Sequence, residues 1–386
     1  MLTWREVIEA ENANDRREIG SMCSGITVLR QGRALILLMP NGGFRCLSSG
    51  FPNGGYMDSP QAVVNVTGIG GKVEYTCMTG GLEEFDEYSL TYVRKLGLDA
   101  AKTVCMSTAA HMDNAVVRTM TSMDGISVSL AVTAGIRNNA GRSGDPASFD
   151  EAMAVYPPVS GTIIIMASIA ADLSDAALFE AMMILTEAKS CVIQELQAHS
   201  KYSRGIATGS GTDQVAVLTD KGSPNKVESI AKNSHLAHTI SECLKETLME
   251  AFDRQSDMNP KTQCDPLIML GRYDLDMDIM GEEIRFPATR AECLSALEEL
   301  RRDRCLASTF NAIMRIGDDV RNGLIPAEDG LRTSIGICKA SILTEVDDEV
   351  VRMRIDSSED IRDLMSYVFA LKLLETVERR RSADVH

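Results

Sequence analysis

Aromatic residues are scarce in this 386-residue chain, at 5%, with a single Trp. Its core must therefore be filled by aliphatic side chains and by the 21 Met, whose flexible thioethers fit irregular gaps. Positive charge is short as well: 39 Lys and Arg face 55 Asp and Glu, for a net charge of −16. That balance excludes a general nucleic-acid or anionic-membrane binder, because both need a positive field. No apolar run reaches the ~20 residues of a membrane span. The opening MLTWREVIEAENANDRREIG carries acids where a signal peptide needs an apolar centre. Ten Cys are present, but they are scattered and form no CxxC pair, which argues against a disulfide framework and a structural zinc site. The expectation is a cytoplasmic protein with reduced thiols, no bound metal and no cofactor.

What the chain does have is an apolar fraction of 44% and enough length for two domains. Residues 26–38, broken at Gln31-Gly32, predict two strands. FRCLSSG, AVVNVTGI, TVCMST, NAVVRTM, ISVSLAVTAG, GTIIIMASI and QVAVLT supply more. Helices are expected over 82–97, from Ser174 as N-cap to Gln197, and from Lys226 to Phe252. This alternation predicts a layered α/β fold with a mixed sheet flanked by helices. After DRQSDMNPKTQCDP the pattern turns helical, over 289–303, 306–322, 327–343 and 359–380. An α/β domain over 1–260 and a mostly α-helical C-terminal region over 261–386 follow.

Four clusters hold candidate chemistry. GIATGSGTDQVAV (205–217) lacks the Lys of a phosphate-binding P-loop, and it opens a strand where a dinucleotide turn would open a helix. Its backbone amides and the side chains of Thr208, Ser210, Thr212 and Asp213 suit an oxyanion site; a plain turn into a strand is the competing reading. STAAHMDNAVV presents His111, Asp113 and Asn114 just past a buried strand. VTAGIRNNAGRSGDPASF crowds Asn138, Asn139, Arg142 and Asp145 into one loop, where Arg142 could clamp an anion or staple the loop through Asp145. TEAK puts Glu187 and Lys189 in an otherwise apolar helix, as tuned acid–base groups or as a helix end emerging into water. His235 and His238 are spaced for a metal but have no obvious third ligand, so solvated helix residues are expected there.

STAAHMDNAVV, VTAGIRNNAGRSGDPASF, GTIIIMASIAADLSDAALFEAMMILTEAKS and KYSRGIATGSGTDQVAV, in that order and spacing, resemble the adenosylcobinamide amidohydrolase family across residues 20–270. The resemblance implies a corrinoid-salvage enzyme. It would cleave the amide joining aminopropanol to a propionate side chain of the corrin ring, giving adenosylcobyric acid for cobalamin biosynthesis. The implied partner is a small-molecule corrinoid, with no nucleic acid and no membrane span, and a homo-oligomer is left open.

Hydrolysing such an amide needs a nucleophile, donors for the oxyanion and an acid for the departing amine. The backbone at Gly209, Ser210 and Gly211 can supply donors. Asp213, Asp113 or Glu187 can activate water; alternatively Ser210 or Thr212 attacks with help from Lys189. His111 is the first choice for the acid. Asn114, Asn138, Asn139, Arg142, Asp145, Thr208, Gly209, Gly211 and Thr212 are then expected along the substrate. The D-x-H-x-x-G pattern that places a His on cobalt is absent, so the corrinoid would be held by its polar rim. A non-catalytic corrinoid carrier is the alternative. A phosphotransferase is disfavoured by the missing Walker Lys.

Overall fold

The computed structural model describes residues 4–40, 42–68, 81–147, 161–275, 288–342 and 355–383. The chain divides into two compact units, Met1–Asn259 and Pro260–His386.

The first unit runs α1 (Trp4–Ala10), β1 (Arg17–Met22), β2 (Ile26–Gln31), β3 (Ala34–Leu38), β4 (Phe44–Ser48), β5 (Gly55–Asp58), β6 (Ala62–Thr67) and α2 (Gly81–Lys95). It continues with β7 (Thr103–Thr108), β8 (Val116–Thr121), β9 (Ser127–Gly135), β10 (Ala140–Gly141), β11 (Thr162–Ile169), β12 (Asp172–Leu173) and α3 (Asp175–Glu195). Last come β13 (Gly209–Ser210), β14 (Gln214–Asp220), β15 (Lys226–Val227) and α4 (His235–Ser256). Five strands form one sheet in the order β1-β2-β3-β6-β7, and six form another in the order β5-β4-β14-β11-β9-β8. Each sheet is mixed. β6 and β7 run parallel in the first, β11 and β14 in the second, and the other neighbours are antiparallel.

The expected layered α/β fold with a mixed sheet flanked by helices is present, built on two large sheets, one upon the other. Strand side chains alternate between faces, so each strand feeds two cores. In β11, Ile163, Ile165 and Ala167 pack with α3 and α4, while Ile164 and Met166 face the five-stranded sheet. In β3, Leu35 and Leu37 face that same middle layer, whereas Ala34 and Ile36 pack against Tyr88 and Tyr92 of α2. The result is a helix–sheet–sheet–helix stack with both faces of both sheets covered. Such strands read as continuous apolar runs, so the period-two signal that would separate two sheets from one is lost. Buried Asn65 of β6 reaches across the middle layer and donates to Thr133 Oγ1 of β9 at 2.9 Å.

The helix expected from Lys226 begins later. Residues Lys226 and Val227 pair in parallel with Asp172 and Leu173, and α4 starts at His235 behind Ser234, whose side chain accepts from Ala237 N. The intervening link is held by α3: Glu180 accepts from Ser229 Oγ and Ile230 N, and Glu187 pairs with Lys232 at 2.6 Å. The Ile230 N–H thus has a carboxylate partner already and does not need a helix.

The second unit is helical: α5 (Pro260–Gln263), α6 (Pro266–Gly271), α7 (Arg290–Leu300), α8 (Arg304–Arg321), α9 (Ala327–Ser341) and α10 (Ile361–Ala383). Thr289 and Glu292 make a reciprocal capping box at the start of α7. Phe310, Ile313, Leu364 and Phe369 sit at its fully buried centre. The expected helix end at 343 and the loop end at 148–149 lie outside the described residues. The described cysteines are all free thiols, and no helix among the described residues is long and apolar enough to cross a membrane.

Candidate active site

The parallel pair β11–β14 sets the geometry. Ile164 is registered with Gln214, so the two strands start side by side, and Asp213 stands immediately before β14. Its Oδ1 accepts from Ile163 N at 3.2 Å and from Ser210 Oγ at 2.6 Å. Its Oδ2 accepts from Ser210 N at 3.0 Å and from Lys189 Nζ at 2.5 Å. Lys189 lies on the inward stripe of α3 with Leu185, Ala188 and Val192, which is why an amine ends up 8% exposed in this helix. Four donors therefore orient one carboxylate. The Ser210 hydroxyl points at it within proton-transfer reach.

Gly209 makes this packing possible. A Cβ there would collide with the Asp213 carboxylate and stand 2.7 Å from Lys189 Nζ. Gly209→Ala is therefore expected to part the ion pair and lower kcat/KM by about 10²-fold, the scale of a 1 Å misplacement. Far-UV circular dichroism should stay unchanged; undiminished turnover would show the pair to be dispensable.

The other loop residues close around this array. Ala140 pairs with Ser210, and Gly141 with Gly209, in the short β10–β13 ribbon. Thr208 N donates to Gly141 O at 2.9 Å, and Thr208 Oγ1 accepts from Ser143 N at 2.9 Å. Asn139 Nδ2 donates to Gly161 O, which also accepts from Thr212 Oγ1 at 3.3 Å. Thr162 Oγ1 donates to Thr212 O at 2.6 Å, and Ser190 Oγ to Thr208 O at 3.1 Å. Arg142 Nη1 donates to Ile206 O at 2.9 Å, while Asn138 and Gly211 are exposed beside the array.

Asp145 staples its loop by accepting from Arg142 N at 2.7 Å and Ser200 Oγ at 2.5 Å. Partial burial works against its ionisation, but hydrogen bonds from Ser200, Ser203 and the Arg142 amide, with the Arg142 charge, hold its carboxyl below the usual range. A depressed carboxylate stabilises the fold fully above its unfolded pKa and loses that contribution as pH falls through its folded pKa. The urea-midpoint advantage of wild type over Asp145→Asn should accordingly be present at pH 7 and shrink below pH ~4. An advantage that grew in acid would contradict this.

His111, Asp113 and Asn114 form a separate group. His111 N and Asn114 Nδ2 both donate to Gln255 Oε1 of α4, at 3.0 and 2.9 Å. Asp113 is exposed between Arg17 and Arg30, at 3.3 and 3.5 Å. No hydrogen bond joins these residues directly to the Lys189–Asp213–Ser210 array among the described residues. Glu187, for which a tuned acid–base role and emergence into water were both open, is half exposed and engaged with Lys232, because it lies two residues from Lys189 and so on another face of α3. His235 bonds Asp124 at 3.0 Å. Sequence reasoning passed over Ser190, Ser200, Gly161, Thr162 and Gln255. Ser190 and Thr162 stood inside quoted blocks, but nothing in their spacing marks them; only the fold does.

A family model described as adenosylcobinamide amidohydrolase matches residues 21–260, well over half of the chain, and the chain belongs to that family. An uncharacterised protein of Methanocaldococcus jannaschii is 29% identical over 186 residues, covering 45% of this chain and 72% of its own. Among solved structures, a Pyrococcus horikoshii protein aligns at 10% identity and a TM-score of 0.27, over 63% of this chain and 82% of its own. A Burkholderia β-aminopeptidase aligns at 10% identity and 0.29, over 65% and 83%.

Proposed function

We propose that this protein hydrolyses the aminopropanol amide of adenosylcobinamide, in the cytoplasm, and so returns the corrinoid as adenosylcobyric acid to cobalamin synthesis. The observation that carries the reading is the convergence of Lys189, Asp213 and Ser210 within the segment matched by the family. In this scheme Ser210 Oγ attacks the amide carbon as its proton passes to Asp213. The exposed amide of Gly211 donates to the tetrahedral oxyanion. Asp213 hands the proton to the departing amine, leaving a serine ester; water then attacks the ester through the same carboxylate and regenerates Ser210. Lys189 keeps the carboxylate oriented and balances its charge. Asn139, Arg142, Asp145, Thr208 and Thr212 shape the loops along the substrate, with Asn138 at their edge. His111, Asp113 and Asn114 serve in this scheme at the substrate's periphery.

Incubating purified protein with adenosylcobinamide and following aminopropanol and adenosylcobyric acid by mass spectrometry tests the reading. Both products should appear; a corrinoid carrier would bind the compound and release neither. Ser210→Ala should abolish turnover. Turnover that persists in that variant would transfer the attack to water.

A further inference from the structure

Ser210 sits in a loop with little stiffness of its own. Gly209 and Gly211 flank it, and glycine loses more backbone freedom on ordering than any other residue. On its amino-terminal side the loop is tied to Ala140 and Gly141 through the β10–β13 ribbon. On its carboxy-terminal side it is tied to three consecutive residues at the start of β11. Thr212 Oγ1 donates to Gly161 O at 3.3 Å, Thr162 Oγ1 donates to Thr212 O at 2.6 Å, and Ile163 N donates to Asp213 Oδ1 at 3.2 Å. This triplet is itself held firmly. Thr162 is registered with Gly135 of β9, and Asn139, 1% exposed, donates to Gly161 O. Gly161 is at positive φ, and a Cβ there would collide with Asn139 Oδ1 and Gly135 O.

Thr212 carries this order to the nucleophile. Its N–H donates to Ser210 Oγ at 3.2 Å, while the Ser210 hydroxyl donates to Asp213 Oδ1 at 2.6 Å. A hydroxyl has one proton and two lone pairs. With the proton on Asp213 and one lone pair on Thr212, one lone pair is left for attack. Within the triplet, Gly161 and Ile163 act through main-chain atoms; Thr162 acts through its side chain and is 3% exposed. Thr212 is exposed, so water can take over its carbonyl if the Thr162 hydroxyl is removed. Loss of that hydroxyl should therefore disorder the loop without unfolding the sheet. We infer that Thr162 is a positioning residue: acting through Thr212, its hydroxyl holds Ser210 in the orientation that meets Asp213. The inference rests on the reading of Ser210 as the attacking group.

The experiment compares the full wild-type chain with Thr162→Val, which keeps the branched shape and loses the hydroxyl, and Thr162→Ser, which keeps the hydroxyl and loses the methyl. Two rates are measured for each. One is turnover of adenosylcobinamide, resolved into kcat and KM. The other is labelling by a small fluorophosphonate, in which Ser210 Oγ bonds to phosphorus, fluoride leaves and the proton passes to Asp213. Thr162→Val should lower kcat and the labelling rate about 10-fold, inside the ~10²-fold scale of a 1 Å misplacement. Its KM should stay within about 2-fold and its urea midpoint should match wild type. Thr162→Ser should restore both rates to within about 2-fold of wild type. A Thr162→Val protein as fast as wild type overturns the inference. So does a Thr162→Ser protein as slow as Thr162→Val, which would make the methyl's packing the cause. A rate loss in Thr162→Val matched by a lowered urea midpoint also overturns it, by making the contact a fold latch. If wild type turns over no adenosylcobinamide yet Thr162→Val still slows labelling, the functional reading falls and the positioning role stands. If wild type is neither active nor labelled, both fall.

Discussion

Asp213→Asn should remove about 10³-fold of amide turnover, since the proton acceptor for Ser210 is lost while the shape is kept. The same substitution should destabilise the protein by about 3–5 kcal/mol, the range for breaking one side of a buried ion pair, because the Lys189 ammonium is left in place without its counter-charge. Both side chains of the pair are 10% exposed, so solvent does little to soften that cost. A double variant, Lys189→Met/Asp213→Asn, removes the stranded charge and should recover most of the stability in urea melts. It should recover none of the turnover. This separation of stability from rate distinguishes a catalytic carboxylate from a loop latch. If Asp213→Asn melts early but turns over normally at low temperature, the pair is a latch and the scheme above is wrong.

The largest purely structural loss is expected at Phe252. It is fully buried where α4 packs on the six-stranded sheet, in company with Leu248, Val128 and Leu130. Phe252→Ala should cost about 3–5 kcal/mol, the lost transfer energy plus the cavity left behind. Phe179 on α3 is 59% exposed, and its alanine variant should stay within about 0.5 kcal/mol of wild type. Paired urea denaturation curves at matched m-values check the contrast. Similar losses at both sites would place Phe179 under a covering surface.

Much of the fold could be read from residues whose effect is local. Ser174 caps α3 as its position suggests, with its side chain accepting from Ala177 N. The Gln31-Gly32 turn separates β2 from β3, with Gly32 at positive φ as a tight turn requires. What was not legible depends on distant partners. Short edge strands such as β5, exposed but for Met57, have no apolar pattern to announce them. The link before α4 takes its shape from Glu180, about fifty residues away in the chain, and no periodicity in Lys226–Asn233 reveals that. At the site, the loops at 137–145 and 205–213 were recognisable by their density of Gly and polar residues, and they do meet. The split between Lys189, turned in, and Glu187, turned out, follows from helical phase; TEAK names both and chooses neither. His111 was singled out for its chemistry and its place just past a buried strand, while the partner that fixes its backbone, Gln255, is 144 residues away.

The side-by-side start of β11 and β14 has a consequence for how this enzyme can change. The carboxylate is registered by a ladder running from Ile164↔Gln214 to Ile169↔Thr219, through the centre of a six-stranded sheet. A substitution in Thr208–Thr212 alters one side chain, but a one-residue deletion there would pull on the ladder itself. Slipping it would carry Asp213 ~3.3 Å along the strand and send Val215 and Val217 to the opposite face. Length in this loop is therefore under far tighter constraint than sequence. Variants with altered specificity should arise by exchange of its residues, or by insertion in the Arg142–Asp145 turn, where the chain has room at the surface.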